Sequence, residues 1–319
     1  MGVRGLVLRP YQADILQRAT ASSAKRKVIQ SPTGSGKSKL ISEACDAPRL
    51  AVLAHAEHLI DQLSERMPSS HQVIGAGARY DGSKHIVGMI QSVANRLDSI
   101  PQPDRVLVDE GHHAVSPTYQ RILAAWPDAE VQLYTATPQR LDGQGLDAVA
   151  DDLICGPQYR ELIYGGYLKP FEVYSVPSDL DLSQCRVLAG DYRKGDVNDA
   201  IRKSSIFGDV AEHWRRLGRD GGHASFWPSI EAAEHAAASV PGWHALHSRM
   251  PKDQIRSLIA GLRSGSVESL ATVGMIGEGL DVPGLASVSL CRPTQSLTVY
   301  MQQSGRCNRG GAGVARVLD

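Results

Sequence analysis

Short apolar runs recur along the first half of the chain, separated by longer stretches in which apolar and polar positions mix. Residues 27–30, 50–54, 86–90, 105–108 and 131–134 have strand length, and 57–65 has helical spacing. Near-continuous apolar strands are those buried on both faces. Their alternation with helices predicts a mostly parallel sheet covered on both sides. The rhythm loosens over residues 141–205, where Gly, Pro and mixed charge dominate and helices are expected only near 157–164 and 196–203. It then resumes, with strands near 223–227, 243–246, 268–273 and 286–291 and helices over 231–238, 252–262 and 296–304. A last strand is expected at 314–318. The pattern divides the chain into two α/β halves, 1–167 and 168–319.

A length of 319 residues suits two domains, and 42% hydrophobic content suits ordinary cores. The 34 basic and 34 acidic residues cancel, so a polyanionic partner would have to be held by a local basic stripe rather than a global field. Cysteines at 45, 155, 185, 291 and 307 form no C-x-x-C pair. This argues against a zinc ribbon or disulfide framework and for a reducing compartment. No apolar run is long enough to span a membrane. The opening MGVRGLVLRP lacks a signal-peptide core, and Leu6 stands where a myristoylation site needs Ser or Thr. The chain reads as a soluble protein of the cytoplasm.

Three segments carry chemistry. SPTGSGKS, residues 31–38, follows the first strand. A loop that cradles phosphates turns its backbone N–H groups inward and needs glycine where a side chain would block them. Gly34 and Gly36 meet that need, flanked by Thr33 and Ser35. Lys37 is a point charge for the β- and γ-phosphates, and the Ser38 hydroxyl can reach Mg2+. Ser31 stands where the strict pattern has glycine. DEGHH, residues 109–113, directly follows the apolar Val106-Leu107-Val108. There Asp109 can hold Mg2+ and Glu110 can polarise an attacking water. QQSGRCNR, residues 302–309, sets Arg306 and Arg309 three apart. On a helix the two would share a face, and their forked guanidiniums suit phosphate oxygens that gain charge during transfer.

In this order the segments resemble the superfamily 2 helicases and translocases, and more narrowly the DEAD/DEAH-box, restriction-helicase-like branch of bacteria and their phages. The resemblance covers nearly the whole chain. It implies two tandem RecA-like domains, each a mostly parallel sheet with helices on both faces, and an ATP cleft between them. It implies that Arg9 and Gln12, in Leu8-Arg9-Pro10-Tyr11-Gln12, read the adenine, and that residues 33–38 hold the phosphates with Mg2+. Thr135 and Thr137, in TATPQR, would couple the ATP site to the nucleic-acid groove by bonding towards the acidic segment. His55, Gln91, Ser92 and Thr272 would touch nucleic-acid backbone. Gly279 and Asp281, in GEGLDVP, would meet the nucleotide from the second half, and Gln302 would join Arg306 and Arg309 in catalysis. His55 and His58 have no third ligand nearby and are not read as a metal site.

The chain departs from the family pattern in three places. Gly111 stands for the usual alanine, a small change taken as harmless. Cys307-Asn308 replaces the usual residues between the two arginines. The chain stops just after its last strand, where relatives continue, so it reads as a minimal or a truncated motor. The implied activity is an ATP- and Mg2+-dependent motor on nucleic acid, DNA more than RNA, without sequence preference because backbone contacts carry none. The alternatives are the duplex-translocating ATPase subunit of a restriction or defence complex, and an ATP-gated clamp with little turnover. Residues for a nuclease are absent, which leaves room for a nuclease or replication partner. A phage-encoded chain would act in its host's cytoplasm.

Overall fold

A computed structural model describes all residues except 1–6, 68–69, 139–144, 176–178, 189, 205, 219–220, 277–281, 283 and 311–312. The chain forms two compact units, Met1–Glu161 and Leu162–Asp319.

The first unit runs α1 (Pro10–Ala21), β1 (Arg26–Gln30), α2 (Lys37–Glu43), β2 (Leu50–Ala54), α3 (Glu57–Arg66), β3 (Gln72–Ile74), β4 (His85–Met89), α4 (Ile90–Ala94) and β5 (Arg105–Asp109). A 3-10 turn (Gly111–Val115), α5 (Pro117–Ala125), β6 (Glu130–Thr135) and β7 (Asp152–Cys155) come next, and α6 (Tyr159–Tyr164) carries the division. The seven strands pair in the order β3-β4-β2-β5-β6-β1-β7, every pair parallel. Successive side chains of a strand face opposite sides, and here both sides are apolar. Val28, Ala51, Leu53, Val106 and Val108 enter one core. Ile29, Leu50, Val52, Ala54 and Leu107 enter the other. That is why these strands read as continuous apolar runs. Each large aliphatic side chain so buried contributes roughly 1.5–3 kcal/mol.

The second unit runs β8 (Phe171–Tyr174), β9 (Val187–Leu188), β10 (Asp191–Tyr192), α7 (Lys194–Arg202), α8 (Ile206–Leu217), β11 (Gly222–Phe226), α9 (Ile230–Ser239), β12 (Trp243–Leu246), α10 (Lys252–Ser264), β13 (Ser269–Thr272), β14 (Leu285–Leu290), α11 (Leu297–Ser304) and β15 (Ala315–Leu318). Its main sheet has the order β12-β13-β11-β14-β15-β8, again all parallel, and β9 and β10 make a small antiparallel hairpin. One face of this sheet is polar inside. The fully buried His223 bridges three strands, with Nδ1 2.7 Å from the Ser269 hydroxyl and Nε2 2.9 Å from that of Ser289. Trp214 and Trp243 pack on its ring.

Several elements differ from the sequence pattern. Ile90 opens α4 rather than closing β4, and β3, β7, β8, the β9–β10 hairpin and the amphipathic α8 are not among the elements expected. Arg306 and Arg309 are not on a helix. α11 ends at Ser304, Arg306 lies in the turn after it, and Arg309 forms an isolated bridge with Leu168. Gly305 caps the helix, and the fully buried Cys307 draws the chain into the core, where its thiol meets the carbonyl of Arg316 at 3.7 Å.

Candidate active site

In a parallel sheet the carboxyl ends of the strands share one edge, where ligands bind. In this sheet β1, β6 and β5 are neighbours, with Gln30 opposite Thr135 and Asp109 opposite Tyr134. The register therefore gathers three segments there: the loop after Gln30, the acidic pair after Val108, and the stretch from Thr135 to Thr137.

The loop turns through Gly34 (φ 83°) and Gly36 (φ 91°), both left-handed. An added Cβ at Gly36 would lie 2.6 Å from Gln12 Nε2, so glycine is needed there for conformation and for space. Lys37 and Ser38 open α2, which puts a cation and a hydroxyl at a helix N-terminus. The Ser31 departure has a local use. Ser35 Oγ donates to the Pro32 carbonyl at 2.5 Å, so Ser31 Oγ is the donor in the 2.6 Å contact with Ser35 Oγ. Both serines are fully buried and brace the loop from within.

Asp109 and Glu110 are buried at 6% and 4% exposure. Burial, then the neighbouring Glu110, raise the Asp109 carboxyl above its ordinary range, and Lys37 and His55 oppose them. Glu110 is left-handed at φ 51° and ψ 52°, the one such non-glycine among the described residues. Backbone of this kind costs about 1–2 kcal/mol in a residue with a Cβ. Gly111 then passes so close to β6 that an added Cβ would meet the Leu133 backbone at 2.9 Å. An alanine at 111 would press on β6 here, so the glycine is not the indifferent change the sequence suggested.

Thr135 Oγ1 donates to the Thr137 carbonyl at 2.8 Å and accepts from the Thr137 N–H at 3.2 Å. Its single proton is thereby used, so His112 Nδ1, 3.3 Å away, carries a proton and donates to it. The same His112 nitrogen lies 3.6 Å from Glu110 Oε2. Thr135 thus reaches the acidic segment through His112, a link that spacing along the chain does not reveal. The rings of His55 and His113 pack at 4.7 Å.

Gln12 is buried, and its amide faces the loop: Nε2 donates to the Ser35 carbonyl at 3.0 Å and Oε1 accepts from the Arg9 N–H at 3.0 Å. Gln91 is exposed and Ser92 buried, both on α4. In the second unit Thr272 ends β13 and is buried, Gln302 lies on α11, and Arg306 Nε donates to the Gln302 carbonyl at 3.3 Å. Gly279 and Asp281 lie outside the described residues.

The first unit's donors also fit a hard divalent cation. Asp109 and Ser38 offer oxygen, which Mg2+ prefers, and the two buried neighbouring carboxylates are relieved by positive charge. No group of three or more His, Cys, Asp or Glu among the described residues could hold a metal.

Residues 5–140 match the family model described as Type III restriction enzyme, res subunit, and residues 229–311 match that of the Helicase conserved C-terminal domain. A 51.5 kDa protein of Lactococcus phage (isolate 7-9) is 34% identical over 291 residues, which cover 88% of this chain and 62% of the phage protein. The two matches and the phage relative support a restriction-helicase-like protein of superfamily 2. A candidate ATP-dependent helicase of Saccharomyces cerevisiae, IRC3, is 25% identical over 94% of this chain and 49% of its own length. In fold, the chain is similar to a fragment of a candidate HsdR subunit of a type I restriction enzyme from Vibrio vulnificus. The TM-score is 0.73 at 20% identity, over 99% of this chain and 64% of that one. The chain therefore spans less than two thirds of each of these proteins. No helix among its described residues is long and apolar enough to cross a membrane.

Proposed function

We propose that the chain is an ATP-dependent nucleic-acid motor, a helicase or translocase acting on DNA more than RNA in a reducing cytoplasm. The observation that carries this reading is the buried Asp109–Glu110 pair on the sheet edge shared with the glycine-turned loop, with His112 joining Glu110 to Thr135. In this reading Arg9 and Gln12 bind the adenine, and the N–H groups of residues 33–38 and the Lys37 ammonium hold the phosphates. Asp109 and Ser38 would hold Mg2+, which would supply positive charge beside the phosphates. Glu110 orients the attacking water and accepts its proton. Arg306 and Arg309 stabilise the charge that develops on the transferred phosphoryl, a role worth roughly 10³–10⁵ in rate in comparable sites. Base and arginines belong to different units, so turnover draws on residues of both. Nucleic acid that touches His55, Gln91, Ser92 and Thr272 stimulates it.

The test is steady-state ATP hydrolysis with Mg2+ and either no polymer, single-stranded DNA, duplex DNA or RNA, with Lys37→Ala as the blank. DNA is expected to stimulate most. Hydrolysis that no polymer stimulates, or that survives in Lys37→Ala, would remove the motor reading. The res-subunit match favours a second version, in which the chain moves along duplex without parting it. Stimulation by duplex DNA without strand displacement would select that version.

A further inference from the structure

The carbonyl of Ser35 sits between the two left-handed glycines of the loop, and two donors from α1 converge on it. Tyr11 Oη donates at 2.6 Å and Gln12 Nε2 at 3.0 Å. A carbonyl oxygen has two lone pairs, so both are engaged from one side. The Tyr11 hydroxyl is in turn the acceptor for Arg9, whose Nη1 lies 3.0 Å from it. A charged donor on a hydroxyl oxygen polarises its O–H and strengthens the bond that hydroxyl donates. The three residues thus form a relay, from the Arg9 guanidinium through the Tyr11 hydroxyl to the Ser35 carbonyl.

The consequence comes from peptide geometry. The Ser35 carbonyl and the Gly36 N–H belong to one planar trans unit and point opposite ways. Holding the carbonyl towards α1 turns the Gly36 N–H away from α1. Glycine at 36 leaves this peptide unit with little conformational resistance of its own, so its orientation has to be imposed from outside. Gln12 supplies one restraint and cannot supply both.

We propose that Tyr11 is a positioning residue of the phosphate loop: held by Arg9, its hydroxyl fixes the Ser35 carbonyl and so aims the Gly36 N–H at the phosphates. This rests on the nucleotide-binding reading above, and it gives the base-reading segment a second task that needs no base. A ligand with phosphates alone senses Tyr11 as ATP does.

The experiment measures binding of inorganic tripolyphosphate and of ATP, each with Mg2+, to the full chain by calorimetry, alongside steady-state ATP kinetics. Tyr11→Phe removes one strengthened hydrogen bond and keeps the ring. It is expected to weaken both ligands by the same factor, about tenfold, raising KM with kcat nearly unchanged. Arg9→Met keeps the hydroxyl and removes its polarisation. It is expected to weaken tripolyphosphate in the same direction by about threefold, and it tests the relay even if Tyr11→Phe does not fold. Loss of ATP affinity with tripolyphosphate affinity intact would make Tyr11 a reader of the base and overturn the proposal. Unchanged tripolyphosphate affinity in both variants would overturn it too. A wild-type chain that binds neither ligand would remove the nucleotide reading itself, whereas with a wild-type chain that binds both, the two variants decide.

Discussion

Replacing Glu110 by glutamine keeps the side chain's size and removes its charge. If Glu110 orients water, Glu110→Gln should hold ATP with near wild-type affinity and hydrolyse it at least a hundredfold more slowly, as loss of a general base does. Single-turnover hydrolysis beside equilibrium binding measures both, and wild-type turnover would show that the carboxylate is not the base. Gly111→Ala is a sharper test of local packing. The new Cβ must displace the Leu133 backbone, and overpacking of that kind costs about 1–3 kcal/mol. A lowered melting temperature is expected, and an unchanged one would mean that β6 yields freely. Residues at this scale were legible where their chemistry stands apart from their surroundings. Asp109 and Glu110 could be singled out because a charged residue at the end of an apolar strand needs a reason to be there, and Lys37 because it follows the two glycines of a phosphate-loop pattern. Ser31, Gly111 and His112 could not be valued in the same way. Their roles depend on which atoms of Ser35, Leu133 and Thr135 stand opposite, and spacing along the chain does not contain that.

Strands buried on both faces were the most legible elements: β2 is apolar throughout, and β1 and β5 carry apolar centres between polar ends. The edge elements were not. β8 exposes Phe171 and Val173, and the β9–β10 hairpin exposes Val187 and Leu188, so no face of either shows a period. The polar layer of the second sheet was equally hidden, since His223, Ser269 and Ser289 read as interruptions until the strands are set side by side. That layer makes a measurable prediction. Burial alone pushes the His223 imidazole down to about 3, from an ordinary value of 6.5. Below 6.5 the unfolded chain takes up a proton that the folded chain refuses until about pH 3. Stability from this group is therefore complete above pH 6.5, and it falls by about 1.4 kcal/mol per unit as pH drops from 6.5 towards 3. Urea unfolding at pH 7.5, 6 and 5 should show this slope, and His223→Gln, which cannot titrate, should flatten it. Equal slopes in the two proteins would mean that His223 is not the group responsible.

For the whole molecule, the two arginines beyond α11 are the part of the proposed chemistry that the first unit cannot supply. Arg306→Ala and Arg309→Ala are each expected to lower turnover by a factor of about 10³ or more and to raise the ATP dissociation constant only a few-fold. Stopped-flow hydrolysis and nucleotide titration separate the two effects, and a variant that loses affinity but keeps turnover would take its arginine out of the transition state. The place of β1 in its sheet has a consequence of another kind, for how the protein is made. β1 pairs with β6 on one side and β7 on the other, so the strand that carries the phosphate loop is synthesised well before either neighbour. At about 5–20 residues per second, a ribosome takes several seconds or longer to add the intervening segment. Throughout that time the loop hangs from an unpaired strand and has no rigid edge on which to form. On the nucleotide-binding reading, a nascent chain would gain its grip on phosphate only once β6 and β7 have been made, so cellular ATP would meet a first unit that is already complete.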